Sequence, residues 1–66
     1  MKANLEAVER ELGRRGDLWP ASLVATVAGL HRSRLYDLAS RGHVPFVMVC
    51  GYRFVSVRQL LSHYRG

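Results

Sequence analysis

Residues 21–42, ASLVATVAGLHRSRLYDLASRG, constrain the fold more than any other stretch, because they read as two short helices joined by a tight turn. Ala25 is followed four residues later by Gly29, and Gly29 six residues later by Leu35. Ala25 is small enough for a second helix to cross close over the first. Gly29 can adopt the positive φ that a turn of three or four residues between helices at roughly 100° requires. Leu30, Leu35 and Leu38 are placed to pin the second helix onto a core, with Val24 and Val27 on the facing side. Left outside are Arg32, Ser33, Arg34, Tyr36, Asp37, Ser40 and Arg41, a polar and mostly cationic surface.

The charge balance follows the same division. Residues 1–21 hold four cations against four acids, whereas residues 22–66 hold six arginines against Asp37 alone, which accounts for the whole net charge of +5. Nine of the ten cations are arginine, whose planar fork suits phosphate and guanine edges. A polyanionic partner is the natural inference, set against a merely solvated basic surface. A short helix with a basic, polar outer face has what is needed to enter a DNA major groove.

At 66 residues the chain is one domain near the lower limit for folding without a staple. A chain of this size buries only about 60% of the surface its unfolded form exposes. Its hydrophobic content of 48% is that of a globular domain and argues against disorder. Cys50 is the single cysteine, so no intrachain disulfide can form, and a reducing cytoplasm is the expected setting. The longest apolar run, residues 44–50, contains Pro45 and is too short to span a bilayer. The opening MKANLEAVERELG lacks the apolar core of a secretory signal.

In chain order, residues 3–13 are expected to form an amphipathic helix with Leu5, Val8 and Leu12 on one face and Ala7 beside them. Glu6–Arg10 and Glu11–Arg15 are i,i+4 pairs worth about 0.2–0.5 kcal/mol each, and Gly13 with Gly16 is read as the stop. This stripe either closes over the core or serves as a dimerisation surface. Asp17, Leu18, Trp19 and Pro20 are expected to open the next helix, with Pro20 at its start and Trp19 as a buried anchor rather than a base-stacking platform. After Gly42 and Pro45, residues 46–49 and 52–55 read as two strands joined by a Cys50–Gly51 turn. Two strands cannot stand alone, so the hairpin must pack on the helices. Ser56-Val57-Arg58-Gln59 is a capping box that starts a last helix bearing Leu60, Leu61 and Tyr64.

His31, His43, Cys50 and His63 are separated by 12, 7 and 13 residues along the chain, with no close ligand pair, so no metal site is expected. Acids are few, no base is set to orient Cys50, and no glycine-rich phosphate loop is present. The expectation is a non-enzymatic chain without a cofactor.

Four motifs in this order resemble the excisionase-like branch of the MerR-related winged helix-turn-helix domains. They are Val24-Ala25-x-x-x-Gly29-Leu30, Arg32-Ser33-x-Leu35-Tyr36-x-Leu38, Arg41-Gly42-x-Val44-Pro45 and Tyr52-Arg53-Phe54. The resemblance covers about residues 19–64. It implies a mainly α fold with a small β-hairpin: an N-terminal helix and linker (1–16), a helix-turn-helix (19–42), a two-stranded wing (44–55) and a closing helix (56–66). Family members are small bacterial, phage or plasmid DNA-binding proteins, among them recombination directionality factors, AlpA-like transcriptional regulators and the DNA-binding domains of some phage terminase small subunits. The resemblance also implies that Arg32 and Tyr36 reach bases or phosphates from the major groove, and that Arg53 lies on the wing near the minor groove or backbone. The chain departs from the pattern at His31, where the family usually has a serine N-cap, at Met48, where Lys or Arg is common on the wing, and at Asp37, where a basic or neutral residue is usual.

The candidate DNA-binding set is thus His31, Arg32, Ser33, Arg34, Tyr36, Asp37, Arg41 and Arg53. Arg34 either clamps phosphate or pairs with Asp37. Asp37 either accepts from a cytosine amino group or holds Arg34 or Arg41 in place. Tyr36 either bonds a phosphate or packs half-buried with a wet hydroxyl. Residues 46–49 leave an apolar strand edge that could meet a neighbouring copy or a recombinase. The competing functional class is a protein-interaction adaptor or inhibitor on the same fold. A fragment of a longer regulator or terminase subunit is a third reading.

Overall fold

A computed structural model describes residues 3–66. It contains four helices and a three-stranded antiparallel sheet: α1 (Leu5–Arg15), β1 (Leu18–Pro20), α2 (Ala21–Ala28), α3 (Arg32–Ser40), β2 (Phe46–Val49), β3 (Tyr52–Ser56) and α4 (Val57–Arg65). The strands lie in the order β1-β3-β2, with β3 in the middle. No helix among the described residues is long and apolar enough to cross a membrane.

Asn4 starts α1 by accepting the Ala7 N–H on Oδ1 at 3.2 Å, while its own N–H donates to the Ala28 carbonyl at 2.8 Å. The first helix is thereby tied to the end of the second. Contrary to the sequence expectation, α1 runs through Gly13 and stops at Gly16, whose φ of 80° ends the helix while its N–H caps the Leu12 carbonyl. A single glycine inside a helix costs only about 1 kcal/mol, and Glu11 offsets part of that by pairing with both Arg14 and Arg15 at 3.2 Å. No Glu6–Arg10 pair forms among the described residues.

Residues 18–20 are a strand, not the opening of α2. Leu18, Trp19 and Pro20 face Ser56, Val55 and Phe54 across β3. Burial decides the conformation here: an extended backbone points Trp19 into the core beside Val55 and lets its indole N–H donate to the Gly16 carbonyl at 2.7 Å. Pro20 then occupies the N-cap of α2, whose first helical residue is Ala21. Its missing N–H leaves no ladder bond unmade at an edge strand.

The expected turn between α2 and α3 is present. Gly29 sits in the left-handed region (φ 67°), and the Leu30 N–H closes back on the Ala25 carbonyl at 3.0 Å. Val24, Ala28, Leu30, Leu35 and Leu38 join Val8, Trp19, Val44, Val55, Val57, Leu60 and Leu61 in one core, with Val27 and Tyr64 packed partly buried against it.

β2 and β3 pair from Phe46↔Val55 to Val49↔Tyr52. Cys50 (φ 50°) and Gly51 (φ 81°) make the turn, both in the positive-φ region that two-residue hairpins favour. Cysteine has no local side-chain bond to offset that conformation, so Cys50→Asn is expected to stabilise the domain by about 0.5–1 kcal/mol. A urea midpoint unchanged or lowered in that variant would contradict the assignment of the turn.

The start of α4 carries a longer-range cap than the sequence motif indicates. Ser56 Oγ accepts the Gln59 N–H at 3.4 Å and itself donates to the Asp17 carboxylate at 2.8 Å. The same carboxylate accepts the Arg58 N–H at 2.8 Å, and the Asp17 carbonyl accepts the Val57 N–H at 2.8 Å. At the other end of α4, Arg65 pairs with Glu9 of α1. Asp17, read from sequence as part of a helix start, therefore does cap a helix, but one forty residues further along the chain.

Candidate nucleic-acid interface

Because Leu35 and Leu38 bury one side of α3, its other side faces solvent. Arg32, Ser33, Arg34, Tyr36 and Ser40 are exposed there, Asp37 is half-buried, and Arg41 follows exposed at the C-cap. His31 serves as the N-cap: its Nδ1 accepts the Ser33 N–H at 3.2 Å and lies 2.9 Å from Ser33 Oγ. The imidazole thus performs the capping that a serine side chain performs elsewhere, in the ring form that leaves Nδ1 unprotonated.

Asp37 is shared between two arginines. Its Oδ2 meets Arg34 Nη1 at 3.2 Å and its Oδ1 meets Arg41 Nε at 3.0 Å. Both pairs are solvated, so they add little to stability. Their effect is geometric: one carboxylate fixes two forks side by side and leaves the group with net positive charge. The Tyr64 hydroxyl, above all, and then Asp37 hold the Arg34 guanidinium above its ordinary pKa. Among the described residues neither Arg32 nor Arg53 has a carboxylate within ion-pair distance.

Tyr36 joins the helix to the hairpin. Its ring meets Phe46 edge-on, with centroids 5.3 Å apart and planes at 78°, and the Arg53 guanidinium lies over it at 5.4 Å from the centroid. Such contacts contribute about 0.5–1.5 kcal/mol for the aromatic pair and ~0.5–1 kcal/mol for the exposed cation on the ring. Arg53 is therefore stationed beside α3 and not loose at the hairpin tip. Met48, opposite Arg53 in the register and 58% exposed, lies on the same sheet face.

All eight sequence candidates fall on α3, its two caps, or the hairpin strand that packs beside it. One residue of this neighbourhood escaped the sequence reading. The sequence pattern marks Phe46 only as a strand residue, yet it supports Tyr36. The spacing places Tyr64 against the core, where it does pack, and its hydroxyl is buried with no hydrogen-bond partner among the described residues. The i,i+4 spacing of Leu60 and Tyr64 shows which face of α4 turns inward but carries no signal of what the phenol tip meets.

Comparison with known protein-family models finds no match, and neither do comparisons with curated proteins and with solved structures.

Proposed function

We propose that the chain is a double-stranded DNA-binding domain of the winged helix-turn-helix type, acting as an excisionase-like recombination directionality factor or a small transcriptional regulator. In this reading α3 is the recognition helix in the major groove, and the β2–β3 hairpin is the wing on the backbone or minor groove. The observation that carries it is the arrangement around Tyr36. Arg53 lies over the Tyr36 ring, Arg32 stands one turn before Tyr36 on α3, neither meets an acid among the described residues, and Arg34 and Arg41 are held by one carboxylate.

Dimensions and chemistry support the reading. An α-helix of about 10–12 Å diameter fits the roughly 12 Å width of the major groove, and the nine residues of α3 give about 13 Å of length to lie along it. His31 and Ser33 at its N-terminus are small or flat enough for close approach. Arg32 is free to fork onto a guanine edge or a phosphate, while Arg34 and Arg41 can hold backbone without first being ordered. Arg53, steadied over Tyr36, is positioned for phosphate.

With about 4–6 phosphate contacts, the log–log dependence of affinity on salt has a slope of about −4 to −5. In fluorescence anisotropy against duplexes selected from a random pool, Arg32→Ala is expected to weaken binding about tenfold, ~1.4 kcal/mol, and to relax specificity. Arg53→Ala is expected mainly to reduce the salt slope by about one. Unchanged binding in both variants, or no duplex binding at two salt concentrations, removes the proposal. It would favour instead a protein-interaction module, a reading to which the exposed Met48 and the acidic Asp37 on this surface give support.

A further inference from the structure

Strand alternation divides the sheet into two unlike faces. Trp19, Phe46 and Val55 lie on the face packed against the helices. Leu18, Pro20, Val47, Val49, Tyr52 and Phe54 lie on the opposite face, and none of them is among the residues packed on the core. Leu18 is 46% exposed and Tyr52 71%, with Val47 and Val49 both at 40%.

We propose that this outer sheet face is a self-association surface, through which two copies of the chain stack sheet against sheet about a two-fold axis. Two observations select a second copy as the occupant. The first is charge. The chain carries +5 overall, and the α3 side would repel its own copy, yet among the described strand residues of the outer face there is no Lys, Arg, Asp or Glu, and the charges bordering its Ser56 end, Asp17 and Arg58, are of opposite sign. It can meet itself without bringing like charges together, the self-complementarity an isologous contact demands. The second is area. The exposed parts of these side chains amount to roughly 400 Å² per copy, about half of what each partner gives to a standard stable interface. A pair then covers about 800 Å², which places the contact in the weak, reversible class rather than among permanent dimers. Stacked twisted sheets also bring such faces to about 10 Å without new backbone partners, so β2 need not donate its edge.

The surface is separate from the arginine-bearing side of α3, and its test does not depend on DNA binding. Sedimentation equilibrium of the whole chain, from about 5 to 500 µM with Cys50 kept reduced, is expected to show a monomer–dimer equilibrium with a dissociation constant of roughly 10–100 µM. Val47→Lys is expected to weaken association at least tenfold with an unchanged circular dichroism spectrum. Tyr52→Lys, at the most exposed position, provides a second variant should the first perturb the strand. Met48→Lys, on the same strand but the other face, should leave association within about threefold. A chain monomeric across the range overturns the proposal. So does a dimer indifferent to Val47→Lys and Tyr52→Lys, or one lost equally in Met48→Lys, which would mean edge pairing or unspecific adhesion.

Discussion

Trp19→Ala is expected to leave a large fraction of molecules unfolded at 25 °C. Trp19 is the largest fully buried side chain, and it connects three things: the sheet through its place opposite Val55, the end of α1 through its bond to the Gly16 carbonyl, and the core itself. Removing a buried aromatic of this size costs about 3–5 kcal/mol. A single core in a chain this short rarely supplies more than about 3–5 kcal/mol of net stability, so the loss and the reserve are comparable. Far-ultraviolet circular dichroism with temperature should show a broad, early transition or none. Trp19→Phe keeps most of the volume but removes the indole N–H and should fall between the two. A sharp melt in Trp19→Ala within a few degrees of the parent would show that the tryptophan is not the keystone described above.

Asp17→Ala carries the next largest effect, about 2–3 kcal/mol. One carboxylate serves both Ser56 Oγ and the Arg58 N–H, so its loss leaves two donors at the start of α4 without their acceptor. Helix caps alone are worth about 0.5–2 kcal/mol, and hydrogen bonds to a charged group about 1.5–3 kcal/mol. The partial solvent exposure of Asp17 keeps the estimate below the sum. Asp17→Asn can still accept one of the two bonds and should recover about half the loss. Urea denaturation of the Asp17→Ala, Ser56→Ala and double variants tests the coupling. If the two single losses simply add, the proposed shared cap is not there.

The contrast between Gly29 and Asp17 shows which kind of information the chain carries openly. Gly29, the leucines of α3, the Cys50–Gly51 hairpin and the Ser56 cap are local: each depends on residues within one turn or one strand of itself, so spacing reveals them. β1 is not local. It has three residues, ends in proline, shows no alternation to read, and exists because Val55, far along the chain, offers Trp19 a place. Gly13 misled for a related reason, since its neighbours on either side favour helix strongly enough to carry it through. At the candidate interface the same line divides the outcome. The exposed face of α3 was legible from its period, and the Asp37 pairing from its i+4 and i−3 arginines. The Phe46–Tyr36–Arg53 stack joins three elements and has no counterpart in any single window of sequence.

The placement of β3 between a strand from before the helix pair and one from after it imposes an order in time. A nascent chain can form α1, α2 and α3 as they emerge, but Trp19 lacks its strand partner and Asp17 its donors until residues 55–58 have been made. The helix pair therefore stays half-assembled, with its apolar side open, until residues 55–58 are available to close it. A fragment ending before residue 55 should be digested readily by protease, and the 66-residue chain should resist it.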